Sequence, residues 1–326
     1  MRALHCTATG SLDNLVLRED LPEPRAAAGE VVVDVAACGI NFPDVLLVHG
    51  KYQFRPDPPF SPGGEISGTV REVGEGVSGL TVGQRVCAWM PYGGLAERVG
   101  VSALAAWPIP EGVDMVVAAG SLVTYGTTWH ALVDRAGLVA GETLLVLGAA
   151  GGVGVAAIQI GKLLGARVIA AASSADKLEF CKRIGADETI DYTREDLKTR
   201  VKELTGAGVD VVYDPVGGSF TEAALRATAW NGRVLVVGFA AGDIPKVPTN
   251  LCLLKGASLV GVFWGHFATR EHEKARRELA EILERVRDGR IVPPIHATYP
   301  LERGADAIRE LEDRKVRGKV VVRVQP

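Results

Sequence analysis

The segment Gly148-Ala-Ala-Gly151-Gly152-Val153-Gly154 constrains the fold of this chain more than any other. It stands between an apolar run, Thr143–Leu147, and a helical pattern, Val155–Leu164. A second apolar run follows at Arg167–Ala172. Strand, tight glycine turn, helix and strand make a βαβ unit. Such a turn lets backbone N–H groups and the positive end of a helix approach a pyrophosphate with no Cβ in the way. Glycines of this kind can also serve only to pack helix on sheet, and it is the βαβ context that favours a dinucleotide.

The end of the second strand bears on which dinucleotide. An NAD site carries Asp or Glu about 20 residues after the glycines, bonded to the ribose 2′-OH. Here Ser173 and Ser174 stand there, with Lys177 beyond them. No carboxylate repels a 2′-phosphate, and hydroxyls with an ammonium attract one. The expectation is NADPH over NADH. Lys177 by itself reads as a surface residue of the next helix, Asp176–Arg183. The missing acid and the two serines are what give it a phosphate role.

A chain of 326 residues accommodates about two domains. Its 47% hydrophobic and 23% charged residues are those of a soluble globular protein. A net charge of −3 without a basic tract argues against a nucleic-acid partner. The cysteines Cys6, Cys38, Cys87, Cys181 and Cys252 are scattered, with no CxxC pair. That argues against a disulfide framework and a structural zinc, and fits a reducing compartment. The N-terminus lacks the apolar core of a signal peptide, and no apolar run has membrane-spanning length. The expected location is the cytoplasm, with no membrane partner.

Residues 1–120 read as a β-rich domain, with short strands at Val31–Ala37 and Gly68–Val73 and a rigid loop at Pro56–Gly64. Residues 121–266 then alternate strand and helix. Strands are expected at 143–147, 167–172, 188–190, 209–213, 233–238 and 258–262, as in a doubly wound parallel sheet. Residues 267–326 hold a charged helix that aligns Leu279, Ile282, Leu283 and Val286 on one face. They end in a strand, Gly318–Val324, expected to return to the first domain. The late apolar segment Lys255–Trp264 reads as an edge strand. Leu259, Val260, Val262, Phe263 and Trp264 offer more apolar surface than a monomer leaves in water, so pairing of two edges in a homodimer is expected.

Several motifs together resemble a family. They are Pro62-Gly-Gly-Glu-Ile-Ser-Gly-Thr-Val-Arg-Glu-Val-Gly-Glu-Gly-Val77, Gly83-Gln-Arg-Val86, the glycine turn, Leu301–Ile308 and Gly318-Lys-Val-Val-Val. Over essentially the whole chain they resemble the medium-chain dehydrogenase/reductase superfamily, in its zinc-independent NADPH:quinone oxidoreductase (zeta-crystallin-like) branch. The resemblance implies an α/β fold: a GroES-like β-rich catalytic domain, completed by 267–326, and a Rossmann cofactor domain. Zinc alcohol dehydrogenases carry Gly-His-Glu where this chain has Gly63-Gly64-Glu65. Their catalytic cysteine falls where Asn41 stands, and their four-cysteine lobe is missing after Val86. Cys38 and Glu65 alone do not make a zinc site, and Cys38 reads as a small buried apolar residue.

The resemblance also assigns roles. Gly151, Gly152, Val153 and Gly154 hold the pyrophosphate. Ser173, Lys177, Tyr192 and Arg317 surround the adenosine 2′-phosphate, although Arg317 reads equally as a solvent-exposed turn residue. Thr127, Gly238 and Phe239 border the nicotinamide. Asn41 and Tyr52 are the candidate polar groups of the acceptor cleft. Tyr52 either donates to the acceptor or only lines its pocket. His49 and His130 read as structural. The expected activity is NADPH-dependent, metal-free hydride transfer to a quinone or related conjugated carbonyl compound. Lys51 and Arg55 beside Tyr52 keep an enone or enoyl-thioester reductase as the alternative. An alternative of another class is a non-catalytic dinucleotide-binding or crystallin-like structural protein.

Overall fold

A computed structural model describes residues 1–325. The chain divides into two compact units. One comprises Met1–Val123 together with the chain from Phe267 onward, and the other is Thr124–His266.

In the second unit, a run of apolar residues buried on both faces makes a parallel sheet the stable solution. Its six strands lie in the order Glu188–Asp191, Arg167–Ala172, Thr143–Leu147, Val209–Asp214, Thr228–Val236, Ser258–Gly261. Every neighbouring pair is parallel. Leu144–Leu147 and Val168–Ala171 are wholly buried. Helices Gly152–Leu163, Ala175–Arg183, Leu197–Thr205, Ser219–Ala227 and Asn250–Lys255 fill the connections. Expected and observed strands differ most at the fifth. The strand ends at Val236 rather than at residue 238, where the N–H groups of Val237 and Gly238 both donate to the Asp214 carbonyl. It also begins earlier, at Thr228, and carries an irregularity in register before Arg233.

The first unit is built around a seven-stranded sheet in the order Ile295–Pro300, Lys319–Arg323, Glu30–Ile40, Glu65–Val73, Arg85–Trp89, Ala106–Pro108, with Arg98–Ser102 also paired to Glu30–Ile40. Period-two alternation divides the two faces, and an irregularity in register between Val35 and Ala37 shifts its phase along the strand Glu30–Ile40. Val31, Val33, Val35, Val320 and Val322 join the main core. Ala37 and Val321 pack on the other face, against Val116 and Ala119 of helix Met115–Ala119. The strand Lys319–Arg323 runs antiparallel to Glu30–Ile40, with Val320 opposite Ile40. A long charged helix, His272–Arg287, buries Leu279, Ile282 and Leu283, while Val286 is only half buried. No helix among the described residues is long and apolar enough to cross a membrane.

The edge strand corrects one expectation. Leu259 and Phe263 are exposed, but Val262 and Trp264 are buried, because the chain turns into helix Trp264–Arg270 directly after the strand. The exposed apolar surface on this side comes instead from Trp230, Leu253 and Leu254 together with Leu259 and Phe263.

Candidate active site

In the second unit the strands end together at the carboxyl edge of the sheet, where ligands of open α/β sheets bind. Gly148, at φ +57°, turns the chain out of its strand, and the Gly151 N–H closes the turn on the Gly148 carbonyl at 3.0 Å. Gly151 caps helix Gly152–Leu163. The first-turn N–H groups of Gly152, Val153 and Gly154 therefore lack intrahelical acceptors and face outward from the helix start. A concavity at this point is lined by Gly148, Ala150 and Gly151 of the turn, Ala172 and Ser173 of the next strand end, and Lys177 and Tyr192. The Lys177 ammonium lies 3.4 Å from Ser173 Oγ. The Tyr192 ring packs on Phe220, with centroids 4.7 Å apart. No carboxylate lines the concavity. Bare glycine backbone, a helix N-terminus, a hydroxyl and an ammonium fit a phosphorylated dinucleotide.

Gly238 and Phe239 follow the fifth strand. Their loop is pinned to the one after Asp214: Ala240 N–H donates to Pro215 O at 3.0 Å, and Ala241 N–H to Val216 O at 2.8 Å. Buried Asp214 fixes that neighbouring loop by accepting the N–H groups of Val216 and Gly217 and the Thr221 hydroxyl. Thr127 lies on helix Leu122–Trp129, half buried. Its neighbour Thr128 meets the Tyr213 hydroxyl at 2.9 Å and donates toward the Val153 carbonyl at 3.3 Å. Thr128, Tyr213 and Asp214 carry no distinguishing signal in the sequence. Nothing distinguishes a hydrogen-bonded core tyrosine from an apolar one in a run such as Val-Asp-Val-Val-Tyr.

The first unit gathers Asn41, Asp44, Glu65 and Lys319, all buried. Lys319 Nζ donates to Asn41 Oδ1 at 2.7 Å, Glu65 Oε2 at 2.9 Å and the Ile40 carbonyl at 3.1 Å. Asn41 Nδ2 donates to Glu65 Oε2 at 2.8 Å and Gly39 O at 3.3 Å. Glu65 Oε1 accepts the Val123 N–H at 3.0 Å. Asp44 accepts the N–H groups of Asn41 and Gly63. Burial raises the Asp44 carboxyl to about 6, and those two N–H donors and the nearby Lys319 charge oppose the rise. Asn41 thus differs from its expected role. Both amide hydrogens are engaged inside the unit, so it has no donor left for an acceptor oxygen.

The same cluster bears on zinc. Glu65 Oε2 is held by an ammonium and an amide, and burial keeps the Cys38 thiol protonated, reinforced by the charges of Asp44 and Glu65. These residues do not fit a zinc ion, which needs about four N, S or O donors with deprotonated thiols. No group of three or more His, Cys, Asp or Glu residues among the described residues is arranged to hold a metal.

Tyr52 is half buried after helix Phe42–Val48, and its hydroxyl makes no hydrogen bond among the described residues. Burial raises its phenol, and the Asp44 charge adds to the rise, so it is a proton donor at neutral pH. Lys51 and Arg55 beside it are exposed. Arg317 belongs to the first unit, half buried on the turn before Lys319, without an ion pair among the described residues. His49 lies between Gly10 O and Glu312 Oε1, and His130 Nδ1 is 2.7 Å from Asp134 Oδ2.

Residues 27–111 match the family model of the alcohol dehydrogenase GroES-like domain, and residues 152–284 that of the zinc-binding dehydrogenases. The chain is 42% identical over 310 residues to quinone oxidoreductase-like protein 2 of Bos taurus, covering 94% of this chain and 88% of that protein. Among solved structures it is similar to mycobacterial Rv1454c complexed with NADPH, at 33% identity and a TM-score of 0.93, covering 99% of this chain and all of that one. It is also similar to Escherichia coli quinone oxidoreductase complexed with NADPH, at 28% identity, a TM-score of 0.93 and the same coverage.

Proposed function

This chain belongs to the medium-chain dehydrogenase/reductase superfamily, in its quinone oxidoreductase branch, and we propose that it is an NADPH-dependent enzyme passing hydride to a quinone or related conjugated carbonyl compound without zinc. The observation that carries the coenzyme is the concavity in which Ser173, Lys177 and Tyr192 meet the glycine turn with no carboxylate among them. The first-turn N–H groups of Gly152, Val153 and Gly154, with Gly151, hold the pyrophosphate. Ser173, Lys177 and Tyr192 hold the 2′-phosphate, with Arg317 as a further candidate cation. Thr127, Gly238 and Phe239 border the nicotinamide.

NADPH, when bound, supplies the hydride. A quinone receives it at a ring carbonyl, and the resulting negative charge delocalises onto oxygen. Such an acceptor needs orientation and a nearby donor more than a Lewis acid. Tyr52 is that donor: its phenol is protonated at neutral pH and its hydroxyl is uncommitted. Asn41 acts by holding the chain at the start of helix Phe42–Val48. A second reading, reduction of an enoyl thioester, is favoured by the exposed cations Lys51 and Arg55, which suit a phosphate-bearing substrate. The test is NADPH oxidation with quinones, enones and enoyl-CoA esters at matched concentrations. Quinones are expected to turn over at least about tenfold faster, or ~1.4 kcal/mol in barrier. Faster thioester reduction would replace the reading with the second one, and no turnover with any acceptor would favour a non-catalytic protein.

The functional unit we infer is a homodimer joined along the edge strand Ser258–Gly261. No further strand pairs its outer edge among the described residues, and Trp230, Leu253, Leu254, Leu259 and Phe263 leave apolar surface exposed. An open apolar edge invites pairing, and a second copy closes it with twofold symmetry. Val260→Pro removes a ladder donor and bends the edge. It is expected to yield monomers or insoluble protein on sedimentation, whereas a wild-type chain that sediments as a monomer at micromolar concentration contradicts the dimer.

A further inference from the structure

We propose that Lys319 is a positioning residue of the hydride-transfer site, its buried ammonium serving as a built-in cation that fixes Glu65 and, through Glu65, both Asn41 and the start of the helix that carries Thr127. The inference rests on the reading that Tyr52, which follows the helix begun at Asn41, and Thr127 belong to that site. Lys319 is 3% exposed and Glu65 is fully buried. A buried ammonium is costly unless every hydrogen finds an acceptor. Here all three do: the Ile40 carbonyl, Asn41 Oδ1 and Glu65 Oε2.

The three acceptors tie the ammonium to two other segments. Ile40 and Asn41 end the strand Glu30–Ile40 and begin helix Phe42–Val48, from which the chain continues to Tyr52. Glu65 begins the strand Glu65–Val73, and its other oxygen accepts the Val123 N–H in the first turn of helix Leu122–Trp129. A carboxylate at that point is also favoured by the positive helix end. Lys319 itself begins the strand Lys319–Arg323, and its stem passes Gly120, where a Cβ would stand 3.5 Å from Lys319 Cβ and Cγ. One ammonium thus sets the geometry of Asn41, of Glu65 and of the first turn of the Thr127 helix. Without it Glu65 is a buried charge with one fewer donor, and Asn41 Oδ1 loses its partner.

A purely structural ion pair predicts something different. Replacing both charges of such a pair together restores stability and, with it, activity. A positioning ammonium is not restored in this way, because an amide at residue 65 can reach Asn41 but does not replace the cation that holds the Ile40 carbonyl, Asn41 and residue 65 in one geometry. Lys319→Met and the double variant Glu65→Gln with Lys319→Met separate the two. The single variant is expected to melt well below wild type. The double variant is expected to recover most of the melting temperature. Both are expected to lose about tenfold to a hundredfold in kcat, the scale of a small misplacement. The dissociation constant for NADPH should stay within about threefold, since the phosphate contacts are untouched.

Emission from bound NADPH reports the nicotinamide surroundings without any acceptor, and it is expected to change in both variants. A double variant with wild-type kcat and wild-type emission overturns the proposal. A wild-type protein that binds NADPH but reduces no quinone overturns the proposed function instead, and the emission comparison still decides the role of Lys319.

Discussion

Lys177→Ala will weaken NADPH binding by roughly tenfold to over a hundredfold and leave NADH binding within about twofold of wild type, because one charge-assisted phosphate contact contributes about 1.5–3 kcal/mol. The two coenzymes differ only at the adenosine 2′ position. Lys177 faces the concavity at the end of the second parallel strand, 3.4 Å from the Ser173 hydroxyl. Its half-buried stem limits how far the ammonium can move away. Ser173→Asp puts an acid where NAD sites carry one and should repel the 2′-phosphate while bonding the free 2′-hydroxyl of NADH. That variant is therefore expected to reverse the preference. Titration of each coenzyme by quenching of protein fluorescence measures all four constants. Equal losses of NADPH and NADH in the Lys177 variant would remove it from the phosphate site.

The cofactor half was legible because its information is local. A glycine turn between a strand and a helix, and the residue types at the next strand end, lie within 30 residues and need no tertiary knowledge. Ser173, Lys177 and Tyr192 lie further apart in sequence, yet a parallel sheet brings consecutive strand ends to one edge by rule. The acceptor half was legible only in part. Lys319 stands at the head of Lys-Val-Val-Val-Arg, and a lysine flanking an apolar strand ordinarily reaches back to water. Its acceptors come from residues 40, 41 and 65, more than 250 positions away, and no periodicity announces such a pairing. Asn41 and Glu65 were both visible in their motifs. Only the geometry shows that they satisfy each other, and that Asn41 has no hydrogen left to give. Trp264 misled for a related reason: it continues an apolar run, but the strand stops at Gly261 and a helix begins at Trp264.

Two glycine substitutions three residues apart will fail in different ways. Gly154 sits in the first turn of helix Gly152–Leu163, and a Cβ there would lie 2.5 Å from Gly148 O and 2.7 Å from the Ala149 backbone. The atoms in the way are main chain, so the helix must move off the strand end. Gly154→Ala is expected to cost about 1–3 kcal/mol of stability, the usual scale of overpacking. It will weaken NADPH binding as well, since the first-turn N–H groups move with the helix. Gly151 is a different case. Its φ is −75°, open to any residue, and a Cβ would meet only Gly148 O at 3.4 Å, an ordinary contact. The fold therefore tolerates Gly151→Ala with little change in melting temperature. What it does not tolerate is the approach of a pyrophosphate, because the added methyl stands at the helix start inside the concavity. NADPH binding is expected to fall by about tenfold to a hundredfold, the loss of one or two charge-assisted hydrogen bonds. Melting temperature and NADPH affinity, measured on both variants, separate the packing role of Gly154 from the binding role of Gly151. A Gly151→Ala protein that binds NADPH as wild type does would mean that the pyrophosphate does not lie against this turn.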